Sequence, residues 1–191
     1  MPANFTKEER EALIEKFYEC GYTLLKRFGY KKLKITDIAS SVGIGTGTFY
    51  NFFKSKDEFI IWLIKRRKDE STKQFLSLSN EYPNGIPPEI FEKFLFDTIS
   101  HNNIYRCLTQ DDYNILQEKY GLLDKRNEKI EENAEFMLSK LASNKSVDDF
   151  ALFSEAYTII IIGTSDLNKL NPKLTDAVVK KLIHSACQFL Y

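Results

Sequence analysis

The sequence predicts an all-α fold, on three observations. Glycine and proline are scarce, with 8 and 5 in 191 residues, whereas β-rich chains need turn residues about every ten positions. Apolar residues recur at steps of three and four along most of the chain, which is the period of an amphipathic helix. The alternation typical of strands is absent from the sequence, and the 43% hydrophobic content suffices for a buried core.

Three helices are predicted in the first part of the chain. Apolar steps place the first from Lys7 to Phe28, and Gly29 directly after it is a C-cap signal. A second helix fits Ile35–Val42 and a third fits Thr46–Phe53. Gly43 lies between them, where a tight turn needs a positive φ.

A long helix and several shorter ones follow. Ser55 and Glu58 have the spacing of a capping box, which opens a helix from Lys56 to Leu78. The segment 81–88, EYPNGIPP, is the clearest break. Further helices are predicted over Pro88–Asn102, Asp111–Ala142, Val147–Thr164 and Lys173–Leu190. We expect two domains, residues 6–66 and residues 67–191.

Charge is uneven along the chain although it sums to zero. Residues 26–56 carry a net charge of +6, and Asp37 is their only acidic residue. A local basic stretch on a neutral protein is typical of a segment that binds a polyanion. The alternative is an ordinary solvated face, and charge alone does not separate the two.

Other classes of site have little support. Cys20, Cys107 and Cys187 are widely spaced and odd in number, and only two histidines exist, so neither a disulfide framework nor a metal site is predicted. No paired acid, nucleophile–base set or cofactor motif is visible. The start lacks a signal peptide, and no apolar run can span a membrane. We expect a cytoplasmic protein without cofactor or membrane contact.

The segment 43–59, GIGTGTFYNFFKSKDEF, has two functional interpretations. A dinucleotide loop needs G-x-G-x-x-G after a strand and a P-loop needs Gly-Lys-Ser/Thr, and neither pattern is present. Two short helices around a tight turn, behind a longer helix, instead predict a helix-turn-helix that reads the DNA major groove. A generic helical hairpin remains the structural alternative.

An extended pattern over residues 6–66 resembles the N-terminal DNA-binding domain of the TetR family of transcriptional regulators. The residues that carry the resemblance are Gly29-Tyr30, Asp37-Ile38-Ala39, Val42-Gly43-Ile44, Gly47-Thr48-Phe49-Tyr50, Phe53 and Lys54-Ser55-Lys56-Asp57-Glu58. The resemblance implies a homodimer on a two-fold symmetric double-stranded DNA operator, with the helix-turn-helix over about residues 34–53. It also implies a C-terminal domain that binds a small-molecule effector, most often to release a repressor from DNA.

Seven residues are predicted to contact DNA, from the resemblance and from the chemistry of their side chains: Thr36, Thr46, Gly47, Thr48, Tyr50, Asn51 and Lys56. Threonine can meet a thymine methyl and asparagine can read adenine, while glycine permits close approach and the tyrosine meets a phosphate. Lys56 starts the fourth helix, whose N-terminus favours an anion. The alternatives are that Thr46 only caps its helix, Tyr50 belongs to the core and Asn51 is solvated.

The chain departs from the family pattern at four positions. Gly45 stands where a serine cap is common, Lys34 where a threonine or serine starts the second helix, Asn51 where histidine is common, and Phe52 where tyrosine is common. Glycine is an acceptable cap and lysine is not. The third predicted helix, Thr46–Phe53, would be the recognition helix that enters the major groove. It has no arginine, the residue that most often reads guanine. We therefore hypothesise an operator rich in A·T pairs.

The C-terminal part is rich in aromatic residues and matches no motif. An apolar or aromatic effector pocket is hypothesised at Trp62, His101, Tyr105, Tyr113, Tyr120 and Tyr157, with ordinary core packing as the alternative for each. Apolar stripes on the last two helices (Phe150, Phe153, Tyr157, Ile161; Val178, Leu182, Ile183, Ala186, Phe189) predict an isologous four-helix dimer contact.

Three classes of function compete. The first is a ligand-responsive DNA-binding regulator, probed by operator selection. The second is a helical interaction protein that has lost DNA binding, which the changes at Lys34 and Phe52 leave open. The third is an enzyme with a cofactor in the C-terminal domain, for which the sequence offers no chemistry.

Overall fold

A computed structural model describes residues 5–100, 107–120, 130–164 and 170–191, except for the side chains of residues 110, 113, 130, 131 and 172. Over these residues the all-α prediction is confirmed. The helices are α1 Lys7–Lys32, α2 Ile35–Val42, α3 Thr46–Phe49, α4 Lys56–Glu81, α5 Pro88–Ser100, α6 Gln110–Tyr120, α7 Ile130–Leu138, α8 Val147–Gly163 and α9 Pro172–Cys187. No strand occurs in these ranges beyond one bridged pair of residues.

Local signals set the ends of the first helices. Thr6 and Glu9 form a capping box at the start of α1. Gly29 breaks the helical geometry with φ 69°, and the chain then makes one further turn before Leu33. At α4, the Ser55 hydroxyl accepts from the backbone N–H of Glu58, and the Glu58 carboxylate accepts from the backbone N–H of Lys54 at 2.5 Å.

An aromatic cluster fills the space between α1, α2, α3 and the first half of α4. Phe17, Phe49 and Phe59 are fully buried, and their rings are 5.7–6.0 Å apart. Phe53 completes the cluster, with its ring centroid 5.0 Å from that of Phe59. These contacts fix α3 on α1 and α4, because rigid rings in close contact leave no room for sliding.

A second cluster lies among α5, α7, α8, α9 and the end of α4. Phe91 is at its centre, fully buried and in contact with the rings of Phe75 and Phe153. The second half of α4 contributes Phe75, so one helix runs through both clusters. The two-domain boundary near residue 66 stays a prediction.

The single helix predicted over Asp111–Ala142 is wrong at its C-terminal end. Helix α7 ends at Leu138, and the chain then runs beside Ile86. The Ile86 N–H donates to the Lys140 carbonyl at 2.9 Å, and the Ala142 N–H donates to the Ile86 carbonyl at 3.1 Å. Gly85, with φ 105°, allows this approach, since a Cβ there would lie 2.6 Å from the Ala142 nitrogen. Residues 121–129 lie outside the described residues.

The predicted third helix is also too long. It is helical only over Thr46–Phe49, after which Asn51 and Phe52 donate to carbonyls three residues back. Such bonds tighten the last turn of a helix. The last two helices end at Gly163 and Cys187, slightly before the predicted ends.

The crossing of α1 and α4 depends on Gly21. A Cβ at this position would lie 2.4 Å from Cζ of Phe59 and 3.2 Å from Cδ1 of Leu63. The Phe59 ring is held in the aromatic cluster and cannot move aside cheaply. We expect Gly21→Ala to cost about 1–3 kcal/mol through overpacking, lowering Tm by roughly 2–4 °C per kcal/mol.

Thermal unfolding followed by circular dichroism checks this prediction. Gly163→Ala is the matched control, because a Cβ there meets nothing within 4 Å, and it should leave Tm unchanged or raise it slightly. A Gly21→Ala variant that melts at or above the wild-type temperature would contradict the packing described at this crossing.

Candidate nucleic-acid interface

The turn between α2 and α3 has the geometry that the sequence predicts. Gly43 ends α2 in the left-handed conformation, with φ 82° and ψ 30°. The Ile44 N–H donates to the Ala39 carbonyl at 2.9 Å, and the Ile44 side chain packs against the N-terminal cluster. Gly45 then caps α3 in extended conformation, with no side-chain hydrogen bond. The pair α2–α3 is therefore a helix-turn-helix whose inner face packs on the aromatic cluster.

Most of the side chains predicted to contact DNA face solvent. Thr36, Thr46, Gly47 and Asn51 are exposed and Thr48 is half-buried. Tyr50 is 53% exposed, which disfavours the alternative that it is a core tyrosine. Its neighbour Phe49 is fully buried, with the two rings edge to face at 5.7 Å. The turn thus separates an anchoring face from an outward face that is free to contact a ligand.

Lys56 differs from the other predicted contacts because its ammonium has an internal partner. The Lys56 Nζ donates to the Tyr30 carbonyl at 2.8 Å and lies 4.5 Å from the Tyr30 ring centroid. The Tyr30 hydroxyl in turn donates to the Asp57 carboxylate at 2.5 Å. Burial raises the pKa of the Tyr30 phenol, and the hydrogen bond to Asp57 makes a smaller contribution in the same direction. These contacts hold Lys56 against the end of α1, and the one hydrogen bond to a carbonyl leaves two of its three N–H donors for an anion.

The basic stretch is only partly available to a ligand. Lys31 lies 3.9 Å from the Asp111 carboxylate and 4.0 Å from that of Asp112, both at the start of α6. Lys32 and Lys34 are exposed. The charge pattern counts Lys31 with the rest of the basic stretch, because nothing in it indicates a partner so far along the chain.

Sequence reasoning missed the contact of α6 with the N-terminal cluster. Leu108 and Leu116 are buried in the N-terminal cluster. Lys119 of α6 donates to the Asp57 carboxylate at 3.3 Å, the same group that accepts from Tyr30. Helices α4 and α6 therefore both pack on the cluster that holds α3.

The structure does not bring the described residues of the hypothesised effector pocket together. Trp62 packs against Phe59 in the N-terminal cluster, whereas Tyr157 stacks on Phe153 in the second cluster. Burial raises the pKa of the Tyr157 phenol. Tyr120 is 45% exposed at the end of α6.

The remaining predicted pocket residues add no side-chain geometry. Tyr113 lies within α6, and its side chain is not among those described. His101 and Tyr105 lie outside the described residues. A groove of about 310 Å³ follows α4 and is lined by Arg66, Asp69, Glu70, Thr72 and Lys73, so its described wall is polar rather than aromatic.

Helices α8 and α9 present an apolar surface to solvent. On α9, Leu174, Val178 and Leu182 are 58%, 51% and 46% exposed and repeat every four residues. The dimer stripe predicted on α8 is wrong, because Phe153 is buried and Phe150, Tyr157 and Ile161 pack against the second cluster. Of the stripe predicted on the last helix, Ile183 and Ala186 are also buried in that cluster, whereas Val178, Leu182 and Phe189 are exposed. The exposed apolar residues of α8 are Leu152, Ile159 and Ile162.

Two curated relatives and one family model match the chain. The model for bacterial regulatory proteins of the tetR family matches residues 19–61, which include α2, the turn and α3. Residues 19–61 therefore carry the helix-turn-helix of the TetR family. The uncharacterized HTH-type transcriptional regulator YwcC of Bacillus subtilis (strain 168) is 35% identical over 68 residues, 36% of this chain and 30% of that protein.

The second relative matches a longer stretch than the family model does. The HTH-type transcriptional regulator SAR2658 of Staphylococcus aureus (strain MRSA252) is 25% identical over 104 residues, 53% of this chain and 54% of that protein. The chain therefore spans 30% and 54% of the lengths of these two relatives. Among the residues described, no helix is long and apolar enough to cross a bilayer.

Proposed function

We propose that this protein is a dimeric, sequence-specific DNA-binding transcriptional regulator, a repressor that a small apolar or aromatic effector releases from its operator. The observation that carries the proposal is the outward face of the TetR-type turn. Thr46, Gly47, Tyr50 and Asn51 are exposed there, while Phe49 and Phe53 hold the turn on a rigid core. An exposed surface that a packed core holds in a fixed position is suited to recognition of a regular duplex.

Base recognition is assigned to the first residues of α3 and to Asn51. Threonine meets a thymine methyl or donates to an acceptor, and an asparagine amide reads adenine. Residues 46–53 contain no arginine or lysine, so the strongest guanine contact is missing from this helix. We expect an operator rich in A·T pairs, and an enriched site built on G·C contacts would contradict that expectation.

Tyr50 is proposed to bind a backbone phosphate through its hydroxyl. Tyr50→Phe keeps the ring against Phe49 and removes only the donor. At the wet edge of an interface such a hydrogen bond contributes about 0.7 kcal/mol, the low end of the usual net range of about 0.5–1.5 kcal/mol. Two such bonds are lost in the dimer, so we expect binding to weaken by roughly 10-fold, with Tm unchanged. Unchanged affinity in a titration of a labelled duplex would remove Tyr50 from the contact set.

The dimer and the effector complete the proposal. Exposed apolar residues on α8 and α9 support a four-helix contact across a two-fold axis, which sets the spacing of two recognition helices. An effector lowers DNA affinity only if it binds better to a conformation with a different spacing. Helix α4 runs from Lys56 into the second cluster, and α6 contacts the N-terminal cluster, so both can carry that change.

Fluorescence anisotropy with a pool of labelled duplexes tests the proposal. We expect binding at low salt that weakens steeply as salt rises, because phosphate contacts release counterions. Effector candidates are then screened for release of the bound duplex. Folded protein that binds no duplex at low salt would favour the alternative, a helical interaction protein of the same fold.

A further inference from the structure

One arginine outside the basic stretch is held next to the recognition turn, by which we mean residues 43–53, the segment that contains α3. The Arg10 guanidinium, on the first turns of α1, lies 4.4 Å from the ring centroid of Phe52. Phe52 directly follows Asn51 and packs against the N-terminal cluster, 5.3 Å from the Phe17 ring. A cation over an aromatic face is attracted by the ring, so the position of Arg10 is tied to the end of the recognition turn.

The charge of Arg10 is not neutralised within the described part of the chain. Its acidic neighbours have other partners, Glu9 in the capping box with Thr6 and Glu11 with Lys7 at 3.9 Å. Two arginines of α4 show the opposite situation, since Arg66 pairs with Glu15 and Arg67 with Glu70. Arg10 is exposed, and its planar fork of N–H donors matches the geometry of a phosphate.

We propose that Arg10, stacked on Phe52, contacts a DNA backbone phosphate beside the recognition helix; this rests on the proposed function. The Phe52 ring has no hydrogen-bond donor, and the guanidinium above it supplies one at that edge of the turn. Because stacking holds the side chain in place, less rotamer freedom is lost on binding. A phosphate contact carries no base information, so Arg10 adds affinity and leaves sequence preference unchanged.

The test compares Arg10→Ala, Arg10→Gln and Arg10→Lys with wild type over a salt series, on a selected duplex and on an unrelated duplex. We expect Arg10→Ala and Arg10→Gln to weaken binding to both duplexes by a similar factor. The negative slope of log affinity against log salt should become shallower by about 2 for the dimer, because one phosphate contact is lost in each protomer. Arg10→Lys should keep most of the slope, because its charge remains.

Lys180→Ala is the matched control. Lys180 is also a stacked cation, 4.6 Å from the Phe96 ring centroid, but it lies on α9, away from the turn. Its removal should leave affinity and slope unchanged. Circular dichroism confirms that each variant is folded.

The outcomes separate the two proposals. A wild-type salt slope in Arg10→Ala, with wild type bound to DNA, overturns the Arg10 contact alone. A loss confined to the selected duplex overturns it too, since that result means base readout. Wild type that binds neither duplex overturns both the contact and the proposed function.

Discussion

Replacing Gly47 with aspartate is expected to remove DNA binding while leaving the fold intact. Gly47 is exposed in the first turn of α3, and a Cβ there meets nothing within 4 Å. A carboxylate near a helix N-terminus is favourable for the helix, so Tm should not fall. In the complex with DNA, however, the carboxylate is repelled by the phosphates and loses the water that hydrates it. A penalty of about 1.4 kcal/mol in each protomer already weakens a dimer ~100-fold.

Duplex titrations by anisotropy measure this loss, and Asn84→Asp is the control. Asn84 is exposed in the turn before α5, so its substitution adds the same charge away from α3. It should bind DNA as wild type does. If Gly47→Asp also binds as wild type does, then α3 does not enter the groove and the assigned face is wrong.

Replacing Val178 with aspartate is expected to separate the dimer. Val178 lies between Leu174 and Leu182 on the exposed apolar face of α9. In an isologous contact each substitution occurs twice, and a buried unpaired carboxylate is costly. If burying the carboxylate costs at least about 1.4 kcal/mol in each protomer, the dissociation constant of the dimer rises ~100-fold or more. Sedimentation velocity at micromolar concentration should show a monomer that no longer binds DNA tightly.

The control for this prediction is Ala177→Asp on the same helix. Ala177 is exposed and lies at the margin of the apolar face, about 100° from Val178 and about 140° from Leu182 around the helix axis. This variant should remain dimeric. Val178→Asp that sediments as wild type does would place the dimer contact elsewhere, and a wild-type monomer would contradict the dimer itself.

The parts of the fold that depend on neighbouring residues could be predicted from the sequence. Helix α2 has the predicted bounds Ile35–Val42, because Gly43 stops it with a positive φ. The Ser55 cap starts α4 at Lys56. Exposure of Tyr50 beside buried Phe49 follows from their adjacent places on a short helix. Each of these signals acts within a few residues, where side-chain and backbone chemistry decide the outcome.

The parts that depend on distant contacts could not be predicted. Arg10 meets Phe52 only because the segment that follows α3 packs against α1. Lys31 faces Asp111 because α6 packs on the N-terminal cluster, and no periodic pattern records that docking. On α8, apolar residues occupy more than one face, so periodicity could not decide which face is buried. The pocket hypothesis grouped aromatic residues by type, whereas packing divided Trp62 and Tyr157 between two clusters.

Selection of bound duplexes from a random DNA pool, followed by sequencing, shows directly whether this protein recognises an operator. We expect one enriched motif with two-fold symmetry and A·T-rich half-sites about one helical turn apart, centre to centre, or a multiple of it. The same selection with Gly47→Asp should enrich nothing. A folded wild-type dimer that enriches no symmetric motif at low salt would contradict the assignment of this protein as an operator-binding regulator.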